Sequence, residues 1–385
     1  MTEARRSASL ARRRLLALFG ASALAAVTFT QCRRERETPD AVAAALRDGA
    51  GNAGFERVTG PRAFEFPRDH AAHPAFRHEW WYVTGHLRDE ARREYGFQIT
   101  FFRYALVPQA VASASRWRAR ELVLAHFALS DIGRRRFHHA TRRARAALDL
   151  AGAAIDTPRV WIRDWELAWT PDADGGRWSL RAETAQAQLE LELRPRKAIV
   201  YQGERGYSPK SDEPGNASLY YSVPRLAADG RLRVGDEAAR VHGEAWLDRE
   251  WGSSALGRDQ RGWDWFALQF EDGRELTFYR LRRRDGSTDP HSRGLLIARD
   301  GTARALTADE VEMQPQRWWR SPATGLRYPV DWRVRSATLG LDLGLRARLD
   351  AQEWPGDLRY WEGQVAVTDV SGAKGLGYLE MTGYT

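Results

Sequence analysis

From about residue 61 onward the chain is built of short apolar runs cut by turn-forming clusters. The stretch "HEWWYVTGHL" (78–87) is the densest of them. Aromatic and β-branched residues favour strands, and successive side chains of a strand face opposite sides of a sheet. Glu79, Trp81 and Val83 therefore share one face, and Trp80, Tyr82 and Thr84 share the other. Both faces carry large aromatic area, so this strand is covered on both sides or lines a pocket. The segments "RDEARRE", "TPDADGG", "AADGR", "EDGRE", "RRDGS" and "RDG" recur at strand-like spacing as turn signals. No helical period of any length competes; only "DAVAAALRD" (40–48) reads as a short helix. The pattern predicts an all-β chain.

One internal repeat refines this. "EWWYVTGHLRDEARREYGFQITFFR", from Glu79, is echoed by "DWFALQFEDGRELTFYR", from Asp264, with a shorter turn in the second copy. Glu79-Trp80-Trp81 lies over Asp264-Trp265-Phe266, and the segment ending in Arg103 lies over the one ending in Arg280. Each copy reads as a hairpin of an acid-aromatic strand and an aromatic strand ending in arginine. Two related β domains arising by duplication follow. The expected division is an export signal over 1–32, a tether over 33–60, an N-terminal domain over 61–240 and a C-terminal domain over 241–385. The repeat also predicts that Glu79 and Asp264 are equivalent, each turned inward and held in a structural ion pair by Arg103 and Arg280 respectively.

Length and charge narrow the function classes. The chain has 385 residues, enough for two domains with substantial cores. The net charge of +8 is concentrated at the start: residues 1–36 hold eight arginines against Glu3 and Glu35, which leaves 51 basic and 49 acidic residues for the rest. No polyelectrolyte argument for nucleic-acid binding remains. Only Lys197, Lys210 and Lys374 are lysines, a bias that reflects codon composition.

"RRSASLARRR" followed by "LLALFGASALAAVTF" reads as an export signal, too short to favour a spanning helix. Arg12 and Arg13 before Leu15 and Leu16 fit a twin-arginine signal, with the general secretory route as the alternative. Cys32 is the single cysteine, which excludes an intrachain disulfide. It is a candidate for a lipid anchor, although Gln31 precedes it where a small residue is usual; cleavage upstream at "ASALAA" is the alternative. The expected location is periplasmic or membrane-tethered.

The richest chemistry lies in "GEAWLDREWGSSALGRDQRGWDWFALQF" (243–270), where Asp248, Arg249, Glu250 and Asp264 stand among Trp246, Trp251, Trp263 and Trp265. Carboxyls beside tryptophans are desolvated and can act as acids near neutrality. Pairing with Arg249, Arg258 or Arg261 is the favoured reading for each, because buried carboxylates usually find a partner. A third segment, "RYWEGQVAVTDVSGAKGLGYLEMTGY", joins Tyr360, Trp361 and Glu362 to Glu380 and Tyr384; it is expected to pair within the second domain in a mostly structural role. His70, His73 and His78 lack HExxH or repeated CxxC spacing, so no metal is expected. No G-x-S-x-G elbow, P-loop or dinucleotide fingerprint occurs, which argues against a triad hydrolase and against a nucleotide cofactor.

Nine motifs in order, "HEWWYVTGHL", "YGFQITFFRY", "LAHFALSDI", "GYSPKSD", "ASLYYSVPRL", "GEAWLDREWGSS", "GWDWFALQFEDG", "YWEGQVAV" and "GYLEMTGY", give the chain a specific resemblance. It resembles the AttH-like, carotenoid 1,2-hydratase-related family of exported bacterial proteins, some labelled predicted secreted hydrolases. The resemblance runs from about residue 60 to the C-terminus. It implies two lipocalin-like (calycin) antiparallel β-barrel domains, a lipophilic small-molecule ligand, no cofactor, and partnership with ABC-type export systems. The hydratases of this family are expected to place His-x-Trp before Tyr-x-Asp, with the Asp protonating an isoprenoid double bond and aromatic faces steadying the cation. Here Trp251 matches the tryptophan and Tyr279 the tyrosine, while Arg249 and Leu281 stand at the two proton-handling positions.

The resulting expectation is an exported lipocalin-like protein that binds or handles a lipid or isoprenoid-like ligand through Trp80, Trp81, Trp251, Trp263 and Trp265. The rival reading is a hydratase or hydrolase of lipophilic substrates, with Asp264, Glu250, Asp248 and Tyr279 as the catalytic candidates. Sequence alone sets neither the ligand nor the oligomeric state.

Overall fold

A computed structural model describes residues 52–109, 115, 118–253, 256–356 and 359–384. The expected export signal, Cys32 and the 40–48 helix lie outside the described residues. Among those described, nearly all regular structure is antiparallel strand; the one helical element is a 3-10 turn at Arg68–His70.

The strands form two curled sheets, as the all-β, two-barrel reading requires. The first runs from Arg136–Arg145 through Glu121–Asp131, Glu94–Ala105, His78–Asp89, Glu237–Gly252 and Ala217–Val234 to Ala187–Pro195 and the short hairpins that end at Ala151–Ala153. Those last strands return against Glu121–Asp131, so the sheet rolls up. The physical cause is alternation: along Ala187–Pro195, Ala187, Leu189, Leu191 and Leu193 are buried and the residues between them are not. Together with Val83, Phe97, Ile99, Trp165 and Trp178 they fill the rolled interior. In the second sheet Gln260–Phe270 lies between Glu275–Arg283 and Lys374–Thr382, and Tyr360–Asp369 follows. Phe266, Phe278, Trp332, Leu343 and Trp361 fill its interior.

The repeat appears as equivalent register. Glu79 lies directly opposite Arg103, and Asp264 lies directly opposite Arg280. In both sheets a late strand inserts beside the first: Glu237–Gly252 beside His78–Asp89, and Lys374–Thr382 beside Gln260–Phe270. This moves the junction expected at 240/241. Glu237–Gly252 hydrogen-bonds both Ala217–Val234 and His78–Asp89, so the chain leaves the first sheet only after Gly252.

Two other sequence expectations change. "AADGR" (227–231) is not a turn but the middle of the long Ala217–Val234 strand. A Cβ on Gly230 would sit 2.0 Å from the Glu190 carbonyl oxygen, so this glycine admits a neighbouring strand and does not reverse the chain. The reversal comes at Gly235 (φ +58°) and Asp236, between the paired Val234 and Glu237. The end of the expected tether is also packed: Phe55 and Val58 are buried, and Val58 belongs to the first interior.

Candidate functional site

Each sheet buries one face inside its own roll and turns the other toward its neighbour. Where the outer faces meet, Tyr82, Tyr220 and Trp246 from the first sheet pack with Trp265, Tyr279, Leu281 and Tyr378 from the second. The contact is pinned by polar bonds across the seam. Tyr82 donates to Glu362 Oε1 at 2.5 Å, Ser208 and Tyr279 share a hydrogen bond of 2.8 Å, and Arg225 and Lys197 both reach Glu275 at 2.6 Å.

A cavity opens within this seam. Trp80, Phe102, Trp263, Trp265, Tyr104 and Tyr360 supply its aromatic walls, and Asp248, Glu250, Glu380 and Lys210 are set among them. Strand register explains the grouping. Trp80 is the cross-strand neighbour of Glu250, and Tyr82 of Asp248. In the other sheet Glu380 stands opposite both Trp265 and Glu362.

The acids here differ from ordinary surface carboxylates. Burial pushes Asp248 up to about 7, against the opposing effect of hydrogen bonds from Ser222, Tyr220 and Trp246. Burial likewise pushes Glu380 up to about 7; Trp263 Nε1, which donates to it at 2.7 Å, opposes the shift, and the charges of Asp248 and Glu250 add to it. Glu362 is driven well above the carboxylate range by burial and by Glu380. Near neutrality Asp248 and Glu380 are thus poised between protonated and ionised forms. Tyr220 donates to Asp248 Oδ2 at 2.7 Å, and Ser222 donates to Oδ1. Either hydroxyl, on the oxygen that takes the proton, can turn from donor to acceptor when Asp248 is protonated, whereas Trp246 Nε1 can only donate.

Glu250 accepts from Ser218 and lies 3.0 Å from Lys210 Nζ. Burial works against the Lys210 charge, but Glu250 and Tyr279 together outweigh it and hold the ammonium above its ordinary value. Two of the arginine partners expected for these acids are engaged elsewhere: Arg249 with Glu79, and Arg258 with Glu213.

Strand alternation also divides the tryptophans expected to touch a ligand. Trp80, Trp263 and Trp265 line the cavity. Trp81 and Trp251 point the other way, into the interior of the first sheet, where both are fully buried.

That interior holds a charged cluster around Glu79. Its carboxylate accepts from Arg103 Nε at 3.1 Å, Arg249 Nη2 at 2.6 Å, and His73 through both the backbone N–H (2.9 Å) and Nδ1 (2.7 Å). His73 stacks on Trp251 at 3.8 Å and Arg249 lies 4.0 Å over Trp81. Burial would raise Glu79, but Arg249, His73 and Arg103 outweigh it and hold the carboxyl far below its usual range.

Asp264 occupies the matching place in the second sheet, fully buried. Arg280 Nη2 lies at 2.5 Å, Arg282 Nε at 3.1 Å, and Tyr384 donates at 2.8 Å. Its neighbours Trp263 and Trp265 reach the cavity and it does not, so among the four catalytic candidates Asp264 is removed from the cavity by one step of the pleat, while Asp248, Glu250 and Tyr279 line it. The expected histidines are not gathered: His70 bonds Tyr221, and His73 bridges Asp69 and Glu79. Among the described residues no group of His, Cys, Asp and Glu is arranged to hold a metal ion.

With this geometry in view, comparison with known proteins is informative. The AttH-like family profile matches residues 57–384. The chain belongs to the AttH-like family. A solved AttH-like structure from Nitrosomonas europaea shares 36% identity at a TM-score of 0.77, over 86% of this chain and all of that one. Kievitone hydratase from Nectria haematococca shares the fold, at 14% identity and a TM-score of 0.65, over 87% of this chain and 97% of that one. An acyclic carotenoid 1,2-hydratase from Cereibacter sphaeroides is 38% identical over 95 residues, which span 24% of this chain and about a third (33%) of the hydratase.

In this AttH-like protein the His-x-Trp and Tyr-x-Asp positions of the hydratase pattern do not meet in one place. Arg249 and Trp251 face the first interior, whereas Tyr279 and Leu281 line the cavity. The cavity instead brings together residues that sequence reading gave no part in a site. Glu380 and Tyr360 come from the C-terminal segment expected to be mostly structural, and Lys210 and Tyr220 had no assigned role. A usable signal for Lys210 was its identity: arginine fills nearly every basic position of this chain, and only three lysines remain.

Proposed function

We propose that this protein binds a lipophilic, isoprenoid-like small molecule in the cavity between its two sheets. The observation carrying this reading is the cavity itself: tryptophan, tyrosine and phenylalanine faces from both halves converge there, while both sheet interiors are filled by packed side chains. An apolar, partly open cavity with a few convergent polar groups is the usual form of a small-molecule site. Titration with a fluorescent lipophile such as anilinonaphthalene sulfonate, displaced by farnesol and followed by tryptophan fluorescence, tests it. Saturable displacement that is lost in Trp265→Ala supports the reading; no saturable binding would remove it.

A second reading, hydration of a carbon–carbon double bond, is favoured by Asp248 and Glu380. Two carboxyls that titrate near neutrality in one aromatic cavity can divide the work. One gives its proton to the alkene, the aromatic faces steady the resulting cation, water adds, and the other carboxylate takes the proton that water releases. The net change is addition of one water. The carotenoid hydratase similarity supports this reading over a quarter of the chain. Incubating the protein with an acyclic isoprenoid in oxygen-18 water and finding no labelled alcohol would sink it. Export to the periplasm and association with a membrane export complex remain part of the proposed setting, supported by the N-terminal sequence and the family resemblance.

A further inference from the structure

The cavity holds a second polar group besides its acid pair. Ser208 is fully buried at the seam; Lys210 Nζ lies 3.1 Å from its Oγ, and Tyr279 OH lies 2.8 Å from the same atom. Lys210 also stands 4.5 Å over the Tyr279 ring and 3.0 Å from Glu250. An ammonium has only donors, so Ser208 Oγ accepts from Lys210. Across the Ser208–Tyr279 bond either hydroxyl can donate. When the serine proton goes to the Tyr279 oxygen, the Tyr279 proton points onward, into the cavity that Tyr279 lines.

The residue at 210 is a lysine, which presents a compact point charge with three donors where arginine would present a planar fork. Lys197 and Lys210 are both buried in the seam. Lys197 spends its donors on Glu275 and on the carbonyls of Gly273 and Ala298, a wholly structural set. Lys210 instead faces the cavity through Ser208 and Tyr279.

We infer that Lys210, Ser208 and Tyr279 form a donor relay that receives an acceptor oxygen of the ligand, so that the bound molecule is an oxygenated lipophile, such as an isoprenoid ketone, and not a plain hydrocarbon. This rests on the cavity being the ligand site and adds which class of molecule it takes. Tyr279 touches the ligand oxygen; Ser208 and Lys210 are positioning residues that orient its proton.

The test compares geranylacetone, an acyclic isoprenoid ketone, with the oxygen-free hydrocarbon of the same skeleton, by quenching of tryptophan fluorescence. The wild type should bind the ketone at least about tenfold more tightly, which corresponds to about 1.4 kcal/mol. Tyr279→Phe should bring the ketone-to-hydrocarbon ratio below about two, since a desolvated hydrogen bond is worth that much. Ser208→Ala should lower the ratio partly, by freeing the phenol to turn; thermal unfolding of each variant verifies the fold. Equal binding of the two probes by the wild type, or a ratio unchanged in Tyr279→Phe, overturns the relay while leaving the lipophile site standing. Quenching by neither probe removes the site, and the relay with it.

Discussion

Replacing Glu79 with glutamine probes the charge cluster inside the first sheet most directly. Glu79, Arg103 and Arg249 are all completely shielded from solvent. In Glu79→Gln the two guanidiniums keep their carbonyl partners: His73 and Phe76 for Arg103, Trp80 and Ala71 for Arg249. Arg103 also keeps Glu121. Arg249 loses its only carboxylate among the described residues. Removing one partner of a buried pair leaves an uncompensated charge and costs roughly 3–5 kcal/mol. With an unfolding entropy of about 2.1 cal/mol/K per residue over the folded part, the melting temperature should fall by roughly 4–7 °C. The pH dependence has a definite sign. The folded carboxyl titrates below its unfolded value, so its contribution is complete above the unfolded pKa of about 4.3 and is lost as pH falls toward the folded value. Calorimetry from pH 7 down to pH 3 should therefore show a constant gap between wild type and variant above about pH 5 that narrows below about pH 4. A variant melting within a degree of wild type at pH 7 would refute the idea that this cluster carries stability.

Three further outcomes follow from the same structure. Asp248 has the opposite sign: its folded value of about 7 lies above the unfolded one, so its own contribution to stability is lost as pH rises from about 4 to 7, and the stability of wild type relative to Asp248→Asn, measured by urea unfolding, should fall over that interval. Trp81→Ala and Trp265→Ala should separate by face: the first truncates a fully buried interior side chain and should cost about 3–5 kcal/mol in urea unfolding, whereas the second should mainly abolish displacement of a lipophilic probe. Gly230→Ala should destabilise by roughly 1–3 kcal/mol because its new methyl meets the Glu190 carbonyl, while Gly60→Ala, with open space around it, should be neutral.

Local rules made much of this fold legible. Period-two alternation in "HEWWYVTGHL" placed Glu79 and Trp81 on one face and Trp80 and Tyr82 on the other, and each face meets large partners as that pattern requires. The internal repeat put Glu79 with Arg103 and Asp264 with Arg280, because an antiparallel hairpin brings paired positions together by register alone. Where the signal was a turn motif it was weaker: "AADGR" has turn composition, yet its glycine serves a close approach of the Glu190 backbone.

Which face becomes a site is a different kind of question, and no local pattern answers it. Trp80 and Trp81 are indistinguishable as residues; only the packing of two sheets against each other makes the first a cavity wall and the second interior filling. The same holds for the acids. Asp264 and Asp248 both sit beside tryptophans in one short segment, but Asp264 meets arginines inside a sheet while Asp248 meets hydroxyls and an indole in the seam. Burial without a guanidinium partner disfavours the charged form, and this is what raises Asp248. Glu380 and Lys210 join the cavity from segments 170 residues apart in the chain, since Glu380 belongs to the last strand and Lys210 directly follows the short strand Tyr207–Pro209 of the first sheet. The sequence by itself determined the all-β class, the two aromatic hairpins and the Glu79–Arg103 and Asp264–Arg280 pairs, because these depend on neighbours within a hairpin. Only the tertiary structure decided the cavity and its protonation, because both depend on which outer faces are brought together and on the water that their contact excludes.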